Sequence, residues 1–278
     1  MKVKKGSIVF SIVIAILLLS IVLIVKNILN KESKEVVVAK KFIEKLCKNN
    51  MIEEYNNSKS IVEEGHLNKL ANKNSQIQYS VIVGKYGVDI DKNYNVLGFS
   101  NKNTSIEKNK NIIAENEAVS LATRYVSEIT DDDFRFKEVR VREGEESPCH
   151  NVVFYKYRDG YPYYKQEINA MIDKRTGKLE GYSNYPLDHI KHIDKININE
   201  EDASNSIKKY FVNLNLKAEI LGDPTLYYIS IKDDKMALAY VYNVKVINSD
   251  NKEEKVTIFL EADSGEIINS NLEAMAKS

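Results

Sequence analysis

Tryptophan is missing from this 278-residue chain, cysteine occurs twice, proline four times, and the 40 basic side chains are matched by 40 acidic ones. Each shortage excludes something. Two cysteines, Cys47 and Cys149, cannot build the disulfide framework of a small secreted scaffold, and a single bridge would have to join two different segments of the repeat described below. The plainer reading is a pair of thiols, with Cys47 at an apolar helix position. Without a basic excess the chain has no electrostatic footprint for nucleic acid, and without an acidic one it has no solvating tail. No tryptophan platform for sugars can form, although tyrosine can also stack on them. With 43% hydrophobic residues the chain can bury real cores, and its length suits about two ordinary domains or several small ones.

Catalytic signatures are equally scarce. There is no His-Glu-x-x-His, no Gly-x-Ser-x-Gly and no phosphate-cradling glycine loop. In Asp188-His189-Ile190-Lys191-His192-Ile193-Asp194 two imidazoles three apart could share an ion with a flanking carboxylate, but no third ligand of defined spacing follows. A polar linker after Pro186 is the simpler expectation. His66, after Glu63-Glu64-Gly65, reads as a solvated helix end. Cys149 and His150 are strand neighbours whose side chains point to opposite faces, a poor thiolate and base. Asp131-Asp132-Asp133 lacks the spaced oxygens of a calcium loop and reads as a helix-terminating turn. No residue is assigned to catalysis, to a cofactor or to a metal.

What is present begins with an apolar run. Ser7 to Val25 holds 19 uncharged residues after Lys2, Lys4 and Lys5, and a helix of that length, at about 1.5 Å per residue, matches a hydrocarbon core of about 30 Å. The run is longer than a cleavable signal and lacks a small-x-small site, so the expectation is a single-pass signal anchor over 7–25. The positive-inside rule puts the stub 1–6 in the cytoplasm and everything after Val25 outside. Residues 26–34 form a linker.

Beyond it one unit is written three times. A stripe at offsets of zero, four and seven appears as Ala39, Ile43, Leu46, again as Ala118, Ala122, Tyr125, and again as Ala203, Ile207, Tyr210. Asn199 and Asp202 supply a capping signal for the third helix. Each stripe is followed by period-two strands, clearest from Met236 to Val246, where one apolar face is expected. Each unit then closes on an acidic turn. Ile172-Asp173-Lys174-Arg175-Thr176-Gly177-Lys178-Leu179 and Leu260-Glu261-Ala262-Asp263-Ser264-Gly265-Glu266-Ile267 share one spacing, while Ile90-Asp91-Lys92-Asn93-Tyr94-Asn95-Val96-Leu97 keeps the acid and places Asn95 where glycine is expected. A carboxylate or hydroxyl ahead of a turn glycine fixes backbone N–H groups, so Asp173 and Glu261 read as structural.

The helix, the strands and the apolar-acid-x-x-Thr/Ser-Gly-x-apolar hairpin resemble the PepSY domain. With Phe154 to Tyr163 leading into Asp173 and Thr176-Gly177-Lys178, the chain is similar to the PepSY-like repeats of YcdB/YcdC-type and YpeB-type bacterial proteins. The resemblance implies small α+β modules that bind or restrain a peptidase or cell-wall hydrolase outside the cytoplasm, without chemistry of their own. The expected fold class is therefore α+β, an N-terminal transmembrane helix followed by tandem modules at 35–104, 105–190 and 191–278, each a helix packed on an antiparallel sheet. The expected partners are an extracytoplasmic protein or peptide and, through 7–25, the membrane. Docking is expected on a sheet face or edge rich in tyrosine, Tyr155, Tyr157, Tyr163 and Tyr164 or Tyr227, Tyr228, Tyr240 and Tyr242, with packing between modules as the alternative use of those rings.

Overall fold

The computed structural model describes residues 33–53, 62–65, 76–102, 112–141, 147–187, 190–232, 235–247 and 252–268. The chain splits into two compact units, Met1–Asn49 with Glu54–Val96, and Asn50–Glu53 with Leu97–Ser278. In the first, helix α1 (Lys34–Lys48) buries Val36, Ala39, Ile43 and Leu46, the three- and four-residue spacing of one helical face. It lies on β2 (Tyr79–Val83) and β3 (Tyr86–Ile90), an antiparallel pair joined at its other edge by β1 (Val62–Gly65). Val81, Val83, Tyr86, Val88 and Ile90 alternate inward beneath the helix.

The second unit opens with β4 (Val96–Asn101, from Leu97 on) and α2 (Glu115–Ile129). An antiparallel meander follows, β5 (Phe134–Arg140), β6 (Cys149–Arg158), β7 (Tyr161–Asp173) and β8 (Leu179–Asn184), with β4 on the outside of β8. After β9 (Lys191–Ile193) come α3 (Glu200–Asn213), β10 (Lys217–Ile220) and a second meander, β11 (Thr225–Lys232), β12 (Lys235–Ile247), β13 (Glu253–Glu261) and β14 (Ile267–Ile268). Asn199 caps α3 as expected, its side chain accepting from Asp202 N at 2.8 Å. Ala118, Ala122 and Tyr125 of α2 are buried, whereas α3 buries Ala203, Ile207 and Phe211, with Tyr210 one step off the stripe.

The expected fold class is corrected on two counts. The meanders are not separate antiparallel modules, because β7 and β11 pair in parallel at Tyr163 and Tyr228, and β9 runs parallel to β12 from Lys191 to Ile193. Strands β4 to β14 thus form one mixed sheet. The physical reason is the length of β7 and β12, 13 residues each, which extend past their hairpin partners and leave ladder groups for β11 and β9 to fill. The membrane expectation is corrected as well. No helix of the described residues is long and apolar enough to cross a membrane, and the longest has 15 residues. The single-pass localisation loses its support with it. The run Ser7 to Val25 on which it rested lies outside the described residues.

The acidic turns do repeat in space. Asp173 Oδ1 accepts from Arg175 N at 2.9 Å, Thr176 N at 2.8 Å and Thr176 Oγ1 at 2.9 Å, and Gly177 follows with φ 67°. In the third turn Ser264 Oγ donates to Glu261, and Gly265 has φ 75°. Both close through the same backbone pair, acid N to the carbonyl five residues on and glycine N back to the acid carbonyl. The first turn is one residue shorter. Asp91 N donates to Asn95 O, Tyr94 N donates back to Asp91 O, and Tyr94, with φ 70°, takes the left-handed position that Asn95 was expected to hold. That conformation costs a tyrosine about 1–2 kcal/mol. The ring offsets part of it by stacking on Tyr79 at 5.5 Å beneath the Lys34 ammonium at 3.8 Å.

Each later turn also seats its own helix. Ile113 N donates to Lys174 O, and Tyr125 of α2 donates to Gly177 O at 3.0 Å; in the third repeat Ile198 N donates to Ala262 O. Ile113 and Ile198 both stand five residues before the small buried alanines Ala118 and Ala203. Their carbonyls bond His150 Nε2 at 3.1 Å and Tyr240 OH at 2.9 Å. His150 pairs across the sheet with Ile172, Tyr240 with Leu260, the residues immediately before the two acids. The two halves of the sheet are therefore built to one plan.

Candidate binding surfaces

The tyrosines divide between the two faces of the sheet. On β12 the even residues Met236 to Val246 join Tyr163 and Tyr228 in a core with Ala203, Ile207 and Phe211 of α3. Tyr163, Tyr228, Tyr240 and Tyr242 are thus packing residues. One apolar face was expected for this strand, but Ala239 and Val241 are buried on the other face too, with Ile229, Phe259 and the partly buried Tyr164 and Tyr227. Among the described residues no helix residue belongs to that cluster. Ala239 is the one small residue among the larger Ile229, Val241 and Phe259 of this cluster.

A row of aromatics crosses it. Tyr155 of β6 meets Tyr227 of β11 at 5.9 Å, Tyr227 meets Tyr164 of β7 at 5.8 Å, and Tyr164 meets Phe259 of β13 at 4.8 Å, all edge to face. Such pairs contribute about 0.5–1.5 kcal/mol each beyond their buried area. Lys137 Nζ lies 4.7 Å over Tyr155 and Arg135 4.3 Å over Tyr157. Burial, then the hydrogen bond with Tyr155, pushes the Tyr227 hydroxyl up to about 12, so it stays protonated at neutral pH. Beside the row Lys137 and Arg140 close on Glu167 at 2.6 and 3.0 Å. Beneath Tyr164 a pocket of about 530 Å3 opens, lined by Ile229, Met236, Phe259 and Ile268 with Lys165 at its rim.

A second, polar cleft of about 490 Å3 lies where β7 begins, between Lys156, Arg158, Tyr163, Leu187 and His192. Lys156 follows Val152 and Phe154 on the helix-facing side of β6 and is 5% exposed. Its ammonium lies 3.3 Å from Asp132 and donates to the Tyr185 carbonyl at 3.0 Å. Burial works to raise the Asp132 carboxyl, but the Asn184 hydrogen bond at 2.7 Å and the Lys156 charge outweigh it and hold the group below its ordinary range. Arg158 pairs with Asp159 at 3.2 Å, Tyr228 donates to Asp194 at 2.8 Å, and Tyr163 OH bonds His192 Nε2 at 2.9 Å. The charges of this cleft answer one another.

His192 therefore serves the fold. Desolvation and the Arg158 guanidinium lower its pKa, while Asp194 and Asp159 pull weakly the other way, and Tyr163 and Tyr228 flank the ring. A depressed folded value means that the unfolded chain binds the proton better. The stabilisation is fully present above about pH 6.5 and is lost as pH falls through the folded value. Urea midpoints are expected to drop between about pH 7.5 and pH 5, and to drop less in His192→Gln. Equal drops would contradict this.

Of the remaining sequence candidates, those among the described residues serve the fold. His66, Asp188 and His189 lie outside the described residues, and no group of three metal-binding side chains occurs among the described ones. Asp132 of the Asp131-Asp132-Asp133 run is taken by Lys156 and Asn184, at the turn that ends α2. Both cysteines are thiols. Burial, then the charges of Glu180 and Asp173, pushes Cys149 up to about 12, and His150 bonds the Ile113 carbonyl instead of the thiol. No protein-family model matches the chain, and no curated protein matches it. The PepSY-type resemblance rests on the sequence pattern alone, the order of helix, strands and acidic hairpin.

Proposed function

We propose that the second unit is a non-catalytic binding module that holds a partner protein or peptide on the face of its sheet opposite α3. The observation that carries this reading is the aromatic row from half-buried Tyr155 through Tyr227 and Tyr164 to buried Phe259, on which no helix residue among the described ones packs. Rigid rings with a polar tip supply contact area at little cost in conformational freedom. The resemblance to PepSY-like repeats adds the partner class, a peptidase or cell-wall hydrolase that the module restrains.

A photo-crosslinking residue placed at Tyr227 is expected to capture a peptidase or wall hydrolase, and the same residue at Val212, 70% exposed on α3, is expected not to. The purified chain should then lower that enzyme's activity. Equal capture from both positions, or an enzyme indifferent to the chain, would remove the proposal.

A further inference from the structure

The pocket beneath Tyr164 has a feature that the rest of the face lacks. Opposite Lys156 the ladder between β6 and β7 breaks, passing from Tyr155 and Glu167 to Tyr157 and Pro162, so that residues 163–166 bulge. Lys165 at the bulge takes φ 66°, a left-handed conformation costing a lysine about 1–3 kcal/mol. The bulge swings Tyr164 over Phe259 and leaves the space of about 530 Å3 between them and β11, within the range of about 300–1,000 Å3 usual for ligand pockets. Ile229, Phe259 and Ile268 supply its apolar walls, and Gln166 and Ser230 add polar groups.

The charge at the rim is one-sided. Elsewhere on the face Lys137 and Arg140 are neutralised by Glu167 and Glu138. Lys165 is exposed, its ammonium 5.6 Å from the Tyr164 ring, with no carboxylate at ion-pair distance among the described residues. Arg135, near the Tyr155 end of the aromatic row, lies over the Tyr157 ring, with no carboxylate at ion-pair distance among the described residues. Two cations without counter-charges among the described residues, one at the mouth of a largely apolar pocket, complement an acidic ligand with an apolar side chain.

We infer that the bound partner presents an acidic segment in which a large apolar side chain fills the pocket beneath Tyr164 while a neighbouring carboxylate pairs with Lys165. This rests on the binding function proposed above and specifies its ligand. The apolar contact supplies most of the affinity, because the pocket loses little on dehydration. The rim pair supplies selection by charge, being solvent-exposed and salt-sensitive.

The chain has no tryptophan, so the fluorescence of a tryptophan-bearing peptide reports the peptide alone. The full-length chain is titrated into acetylated, amidated Gly-Asp-Trp-Glu-Gly and into its counterpart Gly-Lys-Trp-Lys-Gly. The acidic peptide is expected to bind with a blue-shifted emission and to prefer the chain over the basic one by about tenfold at low salt. Lys165→Glu, an exposed change whose fold is checked by circular dichroism, should reverse the preference; Lys165→Gln should abolish it. Equal binding of both peptides, unchanged by Lys165→Glu, would overturn the inference and leave peptide binding standing. Absence of binding by either would overturn both.

Discussion

Replacing Asp173 by alanine is expected to destabilise the second unit by about 2–4 kcal/mol, because several donors aimed at one buried carboxylate lose their acceptor together. The carboxylate is 4% exposed and receives two backbone N–H groups and the Thr176 hydroxyl. Asp173→Asn, which keeps one acceptor oxygen, should cost less. Gly177→Ala belongs to the same prediction. The position combines φ 67° with a Cβ that would stand 2.9 Å from Leu121 Cδ1 on α2, so the backbone is strained and the tip of the Leu121 side chain must shift. Gly160→Ala is the control, since φ is 86° there but open space surrounds the new carbon. The control should cost only about 1 kcal/mol, the left-handed penalty alone. Urea melts of the four variants check the order Asp173→Ala, Asp173→Asn, Gly177→Ala, Gly160→Ala, with the last the mildest. A melt in which Asp173→Ala matches Gly160→Ala would remove the structural role of the acid.

Phe154→Ala is expected to cost about 3–5 kcal/mol, the range for emptying a fully buried aromatic site. Phe154 is completely buried on the helix-facing side of β6, with the rings of Phe134 and Phe136 edge-on at 5.1 and 6.5 Å. Phe136 is 48% exposed and cannot move in to fill the gap without pulling β5 across its bulge. Phe154→Leu should cost less than half as much. Thermal or urea melts give the comparison directly, and a loss below about 1 kcal/mol for the alanine variant would mean that the site collapses without penalty.

Much of the architecture is legible in the residues. Local periodicity marks the helices from Lys34, Glu115 and Glu200, the long alternating strand from Met236, and the hairpin turn at Asp159-Gly160, where both residues take positive φ. What local pattern cannot show is the joining of the repeats. β9 is three residues in a polar stretch, and its pairing with β12 depends on register between distant segments. β10 is short and its face is mostly exposed, so it carries no alternation signal. The second apolar face of β12 was missed because Ala237, Ala239 and Val241 read as the weak half of an alternation, whereas Tyr227 and Phe259 make that half a core.

The proposed binding face is partly visible in the sequence. The tyrosines are, but which of them line it is not, since Tyr163 and Tyr164 are neighbours that point to opposite sides. Lys156 could have been found, as a lysine on the same strand face as Val152 and Phe154 implies a buried charge with a partner. Lys165 could not. Its role depends on a bulge whose only local trace is a backbone angle.

The two meanders form one sheet, so the aromatic row is assembled only when both are folded. Hydrogen exchange of the Phe154→Ala chain tests this directly. A lesion in β6 is expected to lower the protection of amides in β12, Lys235 to Ile247, by the same free energy as those in β6 and β7. Unchanged protection in β12 while β6 and β7 open would contradict it, and would return the repeats to independent modules.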